Sequence, residues 1–229
     1  MRLLRLTSIL LLTGLLGLAG CTVHQPVPLY QLDNGNAQIP KKQGLAVLLG
    51  PVSVADYLQR EALLQRQSDG SLLAADNARW AGNLAADIDQ LLLRQLAWRL
   101  DSQRTVLAPT SADFTPDVQV LLNITRLDSG PHHPAILEAQ WRLLDRAGQL
   151  RDSQLLRLEE AHSGTTADQV QAQSRLLRQL VQRLAAAIEP LRNQRTSPPG
   201  TAQPSKPKDK QPPRLQQLTP PRGGEVLRF

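Results

Sequence analysis

Thiols, imidazoles and paired carboxylates are the side chains with which a chain most readily does chemistry, and here they are sparse. The chain holds one Cys and four His. Only His132 and His133 are adjacent, in Gly130-Pro131-His132-His133-Pro134, and no HxxxH or HExxH spacing completes a metal site around them. The tip of a solvated hairpin is the expected place for that pair. Asp87/Asp89 and Glu159/Glu160 are carboxylate neighbours, but their spacing points them to different faces of a helix or strand, so neither forms an acid/base pair. Ser53 and Ser129 lack a G-x-S-x-G setting, and no Walker loop is present. The pattern therefore predicts a non-enzyme without a metal.

The remaining reactive group is the thiol of Cys21. Arg2 and Arg5 precede an apolar run, Leu6 to Leu18, that is short for a bilayer span and ends in small residues, which is the layout of a secretory signal over residues 1–20. Leu18-Ala19-Gly20-Cys21 resembles the bacterial lipobox, whose small residues admit a signal peptidase and whose thiol receives a diacylglyceryl group. That resemblance implies that Cys21 is the mature N-terminus, carrying N-acyl and S-diacylglyceryl lipid. Three acyl chains at ~0.8 kcal/mol per buried CH₂ make such an anchor effectively permanent. With that cysteine acylated no thiol is left for a disulfide, so the domain must be held by its core.

Net charge is +6, which invites a nucleic-acid reading until the charge is located. Of 26 Lys and Arg, two lie in residues 1–20 and eight after residue 190; of 20 acids only Asp209 and Glu225 lie after residue 190, leaving 16 basic against 18 acidic between, a net of −2. A phosphate-gripping stripe is not indicated there. Three Trp, two Tyr and two Phe also make base-stacking platforms unlikely to form, so no nucleic-acid partner is expected.

These residues must be positioned by a fold, and the chain divides readily. After a tether at 21–28, a domain is expected over 29–190 and a tail over 191–229. Leu29–Leu32 reads as a short strand before Asp33-Asn34-Gly35-Asn36, which has turn chemistry. Leu45–Leu49 is a continuous apolar run ended by Gly50-Pro51, the pattern of a central strand covered on both faces. Leu63–Gln65 and Ser71–Ala74 flank Asp69-Gly70 as a hairpin. A helix capped by Asp76 or Asn77 is predicted next, with a buried stripe of Trp80, Leu84, Ile88, Leu91, Leu92 and Leu96. Thr105–Ala108 reads as a short strand. Val118–Asp128, Ala135–Asp145 and Leu150–Glu160 alternate with the period of antiparallel strands that have one wetter face. Thr166 with Gln169 resembles a capping box for a second helix that Pro190 should stop. Trp80 and Trp141 are expected in the core rather than in a ligand pocket.

After Pro190 the composition changes to Pro, Lys and Arg, including Ser197-Pro198-Pro199-Gly200 and Pro220-Pro221. Such a stretch has little apolar surface to offset its ordering entropy, and it is expected to be a disordered tail with polyproline character. Extended at ~3.1 Å per residue it would reach about 120 Å.

Cys21 with its lipobox, Tyr30-x-Leu32, Leu49-Gly50-Pro51-Val52, Tyr57-Leu58-x-Arg60, Arg66, and Arg79-Trp80 opening the long helix are together similar to the ABC-type transport auxiliary lipoprotein family, the PqiC/YmbA group. The likeness spans about residues 18–190. It departs in having Glu61 where many relatives have Pro, and in the basic tail. The resemblance implies an α/β three-layer sandwich with a mixed, roughly five-stranded sheet and two main helices. It further implies a non-catalytic lipoprotein subunit of an envelope lipid-transport system, partnered by an MCE-domain protein and an inner-membrane transport component, and assembling into rings. Thr22, in place of Asp, implies sorting to the outer membrane, facing the periplasm. Tyr57, Arg60, Arg66 and Trp80 are the implied partner-docking residues, with Arg60 and Arg66 also considered for a phospholipid head group. A structural lipoprotein that ties membrane to cell wall through its basic tail is the alternative.

Overall fold

In a computed structural model, residues 26–194 of the 229-residue chain are described. The lipobox at 18–21 and the tail beyond Gln194 lie outside the described residues.

Ten elements alternate along the chain: β1 (Leu29–Tyr30), β2 (Val47–Val54), β3 (Ala62–Arg66), β4 (Leu72–Trp80), α1 (Leu84–Arg99), β5 (Thr105–Leu107), β6 (Val118–Gly130), β7 (His133–Asp145), β8 (Leu150–Glu160) and α2 (Thr166–Gln194). A single 3₁₀ turn, Asp56–Gln59, joins β2 to β3. The strands form a five-stranded sheet in the order β5-β2-β6-β7-β8 and a smaller sheet in the order β1-β4-β3. In the larger sheet β2 runs parallel to β5 and β6, whereas β6, β7 and β8 form an antiparallel meander, so the sheet is mixed as expected. The smaller sheet is an addition that the sequence did not announce.

The meander alternates for a physical reason. Ile124, Ala139, Trp141, Leu143, Leu156 and Leu158 are buried on one face, while Asn123, Gln140, Arg142, Ser153 and Leu155 are exposed on the other. Both helices lie against the buried face and pack on each other, α2 chiefly over β6, β7 and β8 and α1 beside β2 and β5. Among the described residues, no α-helix lies on the other face of the sheet. Leu177, Leu180, Leu184 and Ile188 of α2 and Ile88, Leu91, Leu92 and Leu96 of α1 fill the space between as one continuous core. Trp141 is fully buried there, as expected, and its indole N–H donates to Asp152 at 2.7 Å.

Several local expectations are corrected. Asp76, Asn77, Arg79 and Trp80 belong to β4 and not to a helix; the cap of α1 is Asn83, whose Oδ1 accepts from Ala86 N at 3.1 Å. Trp80 is nonetheless in the core, as its spacing to Leu84 suggested. Strand β2 does not end at Gly50-Pro51: it passes through a cis Gly50–Pro51 bond, shifts register on β6, and continues to Val54. It is an interior strand paired on both sides. Thr165, one residue earlier than expected, caps α2; its Oγ1 accepts from Asp168 N at 3.2 Å and donates to Asp168 Oδ2 at 2.6 Å. Pro190 does not stop α2, which runs on to Gln194. A helical proline denies a partner to the carbonyl four residues earlier. Here both Ala186 and Pro190 face solvent, so water can satisfy that group.

Candidate functional site

The segment singled out in the sequence, residues 49–66, is tied to the far end of β6 by one buried carboxylate. Strand β2 ends opposite Ile124, and β6 continues six residues further, to Gly130. Beyond that point the β6 backbone needs other partners. The Leu127 N–H donates to the Tyr57 hydroxyl at 3.1 Å, and that hydroxyl donates in turn to Asp128 Oδ2 at 3.2 Å. Arg66, from β3, donates to the same oxygen through Nε at 2.9 Å and Nη2 at 2.6 Å. Arg126 takes the other oxygen, with Nε and Nη2 each 3.0 Å from Oδ1. The Asp128 side chain is 2% exposed.

Burial pushes the Tyr57 phenol up to about 12, helped by the nearby Asp128 charge, so this hydroxyl stays protonated and serves as donor and acceptor rather than base. The hydrogen bond to Asp128 raises the Arg66 guanidinium further above its ordinary value. The chain of charges continues through Arg126 to Glu138, and from Glu138 to Arg157. Arginine and carboxylate alternate along it, which leaves little net charge to attract an anion. Chemically the cluster can clasp two sheets together; it holds no activated nucleophile.

Of the residues implicated by sequence, Tyr57 and Arg66 meet at this clasp. Trp80 is near them: with Tyr57, Leu58, Leu127 and Gln173 it lines a cavity of about 10 Å³, room for roughly one water. Arg60 stands apart, exposed and without an ion-pair partner among the described residues. Asp128, which organises the cluster, was not recognised from sequence. It is 62 residues from Arg66 and 71 from Tyr57, and no spacing rule links them. Its only signal was being the sole carboxylate in β6.

His132 and His133 are at the β6–β7 hairpin as expected, with His133 Nε2 3.3 Å from Ser68 Oγ. No group of three or more potential metal ligands occurs among the described residues. No helix among them is long and apolar enough to cross a membrane.

Comparison with known proteins fits this architecture. No curated protein sequence matches the chain. A solved structure of an uncharacterized protein is 20% identical, with a TM-score of 0.58, and the alignment covers 72% of this chain and 99% of that one. Protein XCC0632 from Xanthomonas campestris, of family DUF330, is 18% identical with a TM-score of 0.55, over 73% of this chain and 98% of its own. These likenesses concern the fold. The model of the ABC-type transport auxiliary lipoprotein component matches residues 30–185, from β1 through most of α2 and including the whole clasp. The chain therefore belongs to the ABC-type transport auxiliary lipoprotein family.

Proposed function

We propose that this chain is the lipoprotein subunit of an MCE-type envelope lipid-transport system, a non-catalytic adaptor anchored through acylated Cys21 in the outer membrane and facing the periplasm. What supports the reading is the family match across the folded part, placed directly after a lipobox ending in the one cysteine. An accessory transport subunit needs a rigid body and an anchor, and no catalytic constellation. The two sheets clasped at Asp128 supply the first, and Leu18-Ala19-Gly20-Cys21 supplies the second. Its partners in this reading are an MCE-domain protein that crosses the periplasm, an inner-membrane transport component, and further copies of the chain itself.

Co-purification from detergent-solubilised envelopes tests the reading. The tagged, acylated chain should bring down an MCE-domain protein, and Cys21→Ala should leave a folded chain in the soluble fraction that no longer supports envelope integrity. Reproducible absence of the MCE protein, or full function of the soluble form, would count decisively against it.

A further inference from the structure

A lipid anchor brings a domain to a bilayer without saying which face rests on it. The structure narrows that choice. The chain enters the fold at β1, where Leu29 pairs with Arg79 of β4, and Arg79 pairs in turn with Ala62 of β3. Paired residues project from the same side of a sheet. Leu29 is 63% exposed and Arg79 is exposed beside it. Arg60 precedes Ala62 by two residues in extended backbone, φ −90° and ψ 147°, which places it at the same end of the small sheet as Arg79, with Arg79 on the central strand between Leu29 and Arg60.

Two features bear on this end of the sheet. Neither Arg60 nor Arg79 has a carboxylate partner or a hydrogen-bond acceptor among the described residues, whereas Arg66, Arg126 and Arg157 are each paired with a carboxylate. Arg66, the other arginine of the segment, is committed to Asp128 and is not free to bind a head group. Secondly, Leu29 is only eight residues after Cys21, so at ~3.3–3.6 Å per residue the patch lies within about 29 Å of an anchor at that cysteine. An exposed leucine in line with two unpaired guanidiniums fits an anionic bilayer surface, which offers phosphates to the arginines and an apolar boundary to the leucine.

We infer that the end of the β1-β4-β3 sheet carrying Leu29, Arg60 and Arg79 is the face that rests on the membrane, docking on anionic phospholipid head groups. This rests on the anchored reading above for its geometry, but its chemistry can be tested without the anchor. The mature chain, residues 21–229 carrying Cys21→Ser, is floated with vesicles of phosphatidylethanolamine and phosphatidylglycerol, and with vesicles of phosphatidylcholine alone. It should partition onto the anionic vesicles, and Arg60→Gln with Arg79→Gln should weaken that partition about thirtyfold, as expected for two basic side chains at an anionic surface. Arg142→Gln with Arg146→Gln makes the same change of net charge away from the patch, and should leave partition within about twofold of the parent.

Equal losses from the two double variants would show that net charge alone, including that of the basic tail, drives binding, and would overturn the inference. So would unchanged partition of the Arg60/Arg79 variant. Both patch residues are exposed, so circular dichroism should show the parent fold. The intact mass of the membrane-extracted parent reports acylation separately: an unacylated Cys21 would remove the anchored reading, and the flotation result would still decide the patch.

Discussion

At the scale of single residues, Asp128 is the side chain with the most depending on it. Its two oxygens receive Tyr57, Arg66 and Arg126, and Tyr57 in turn satisfies the Leu127 N–H. Removing one partner of a buried charge pair costs more than the pair itself contributes, because the remaining charge is stranded. Both arginine side chains are 24% exposed and so keep some access to water. Asp128→Ala is thus expected to destabilise the fold by about 3 kcal/mol, at the lower end of the range for such pairs. Tyr57→Phe removes the acceptor for one buried N–H and one of several donors to Asp128, leaving both arginines in place, and should cost about 1–2 kcal/mol. Urea denaturation of both variants checks the order, and a larger loss for Tyr57→Phe would show that the tyrosine and not the carboxylate holds the clasp.

At the scale of elements, the clasp depends on how closely β3 approaches the end of β6. A Cβ built on Gly130 would fall well inside contact distance of the Arg66 carbonyl, and that obstacle is backbone, which has no rotamer to move away. Gly148, in the β7–β8 turn, has open space around its Cβ position but a φ of +73°, which only costs a side chain conformational strain. Gly148→Ala should therefore lose about 1 kcal/mol, whereas Gly130→Ala should lose several and loosen β3 from β6. Hydrogen exchange would show the second effect as lost protection at Leu127 and in β3, with β7 and β8 unchanged. Comparable losses for the two variants would mean that β3 yields easily.

The same elements show what the sequence could reveal. The meander was legible because one face of β6, β7 and β8 is wet, so burial imposes a period of two on the residues. Strand β4 was legible only at its start, as the Ser71–Ala74 arm of the hairpin: beyond that arm only Ala78 and Trp80 of the strand are buried, and a register shift between Ala62 and Leu64 breaks the pairing. With Trp80 four residues before Leu84, a helical stripe extended into the strand by one false member. Pro190 misled for a similar reason, since its cost depends on whether the orphaned carbonyl meets water, and sequence does not show which side of the helix is exposed. Asp128 was beyond reach because its partners are brought to it only by the sheet.

At the scale of the whole molecule, the charges that favour the folded state are placed at its joints. Asp69 sits in the β3–β4 hairpin and its Oδ1 accepts from Ser71; Asp101 follows α1 and pairs with Lys42; Asp145 closes the β7–β8 turn; Asp168, in the first turn of α2, accepts from the capping Thr165. Hydrogen bonds hold all four carboxyls below their ordinary value: from Ser71, from the Lys41 backbone, from the Gln149 backbone, and from Ser163, respectively. A carboxyl depressed in the folded state contributes stability that is present above its unfolded value of about 3.9 and is lost as pH falls through the folded value. Asp89 acts in the opposite sense: partial burial raises its carboxyl, so its protonation favours the folded form and offsets part of the loss. With four groups against one, stability should fall as pH drops below about 4, and the turns should loosen before the apolar core does. Urea midpoints measured from pH 7 down to pH 2.5 should therefore decline on the acid side, and the decline should be shallower in a variant combining Asp145→Asn and Asp168→Asn, which has already given up part of the stability at neutral pH. An acid limb of unchanged slope in that variant would show that these two turn carboxylates do not carry the pH dependence.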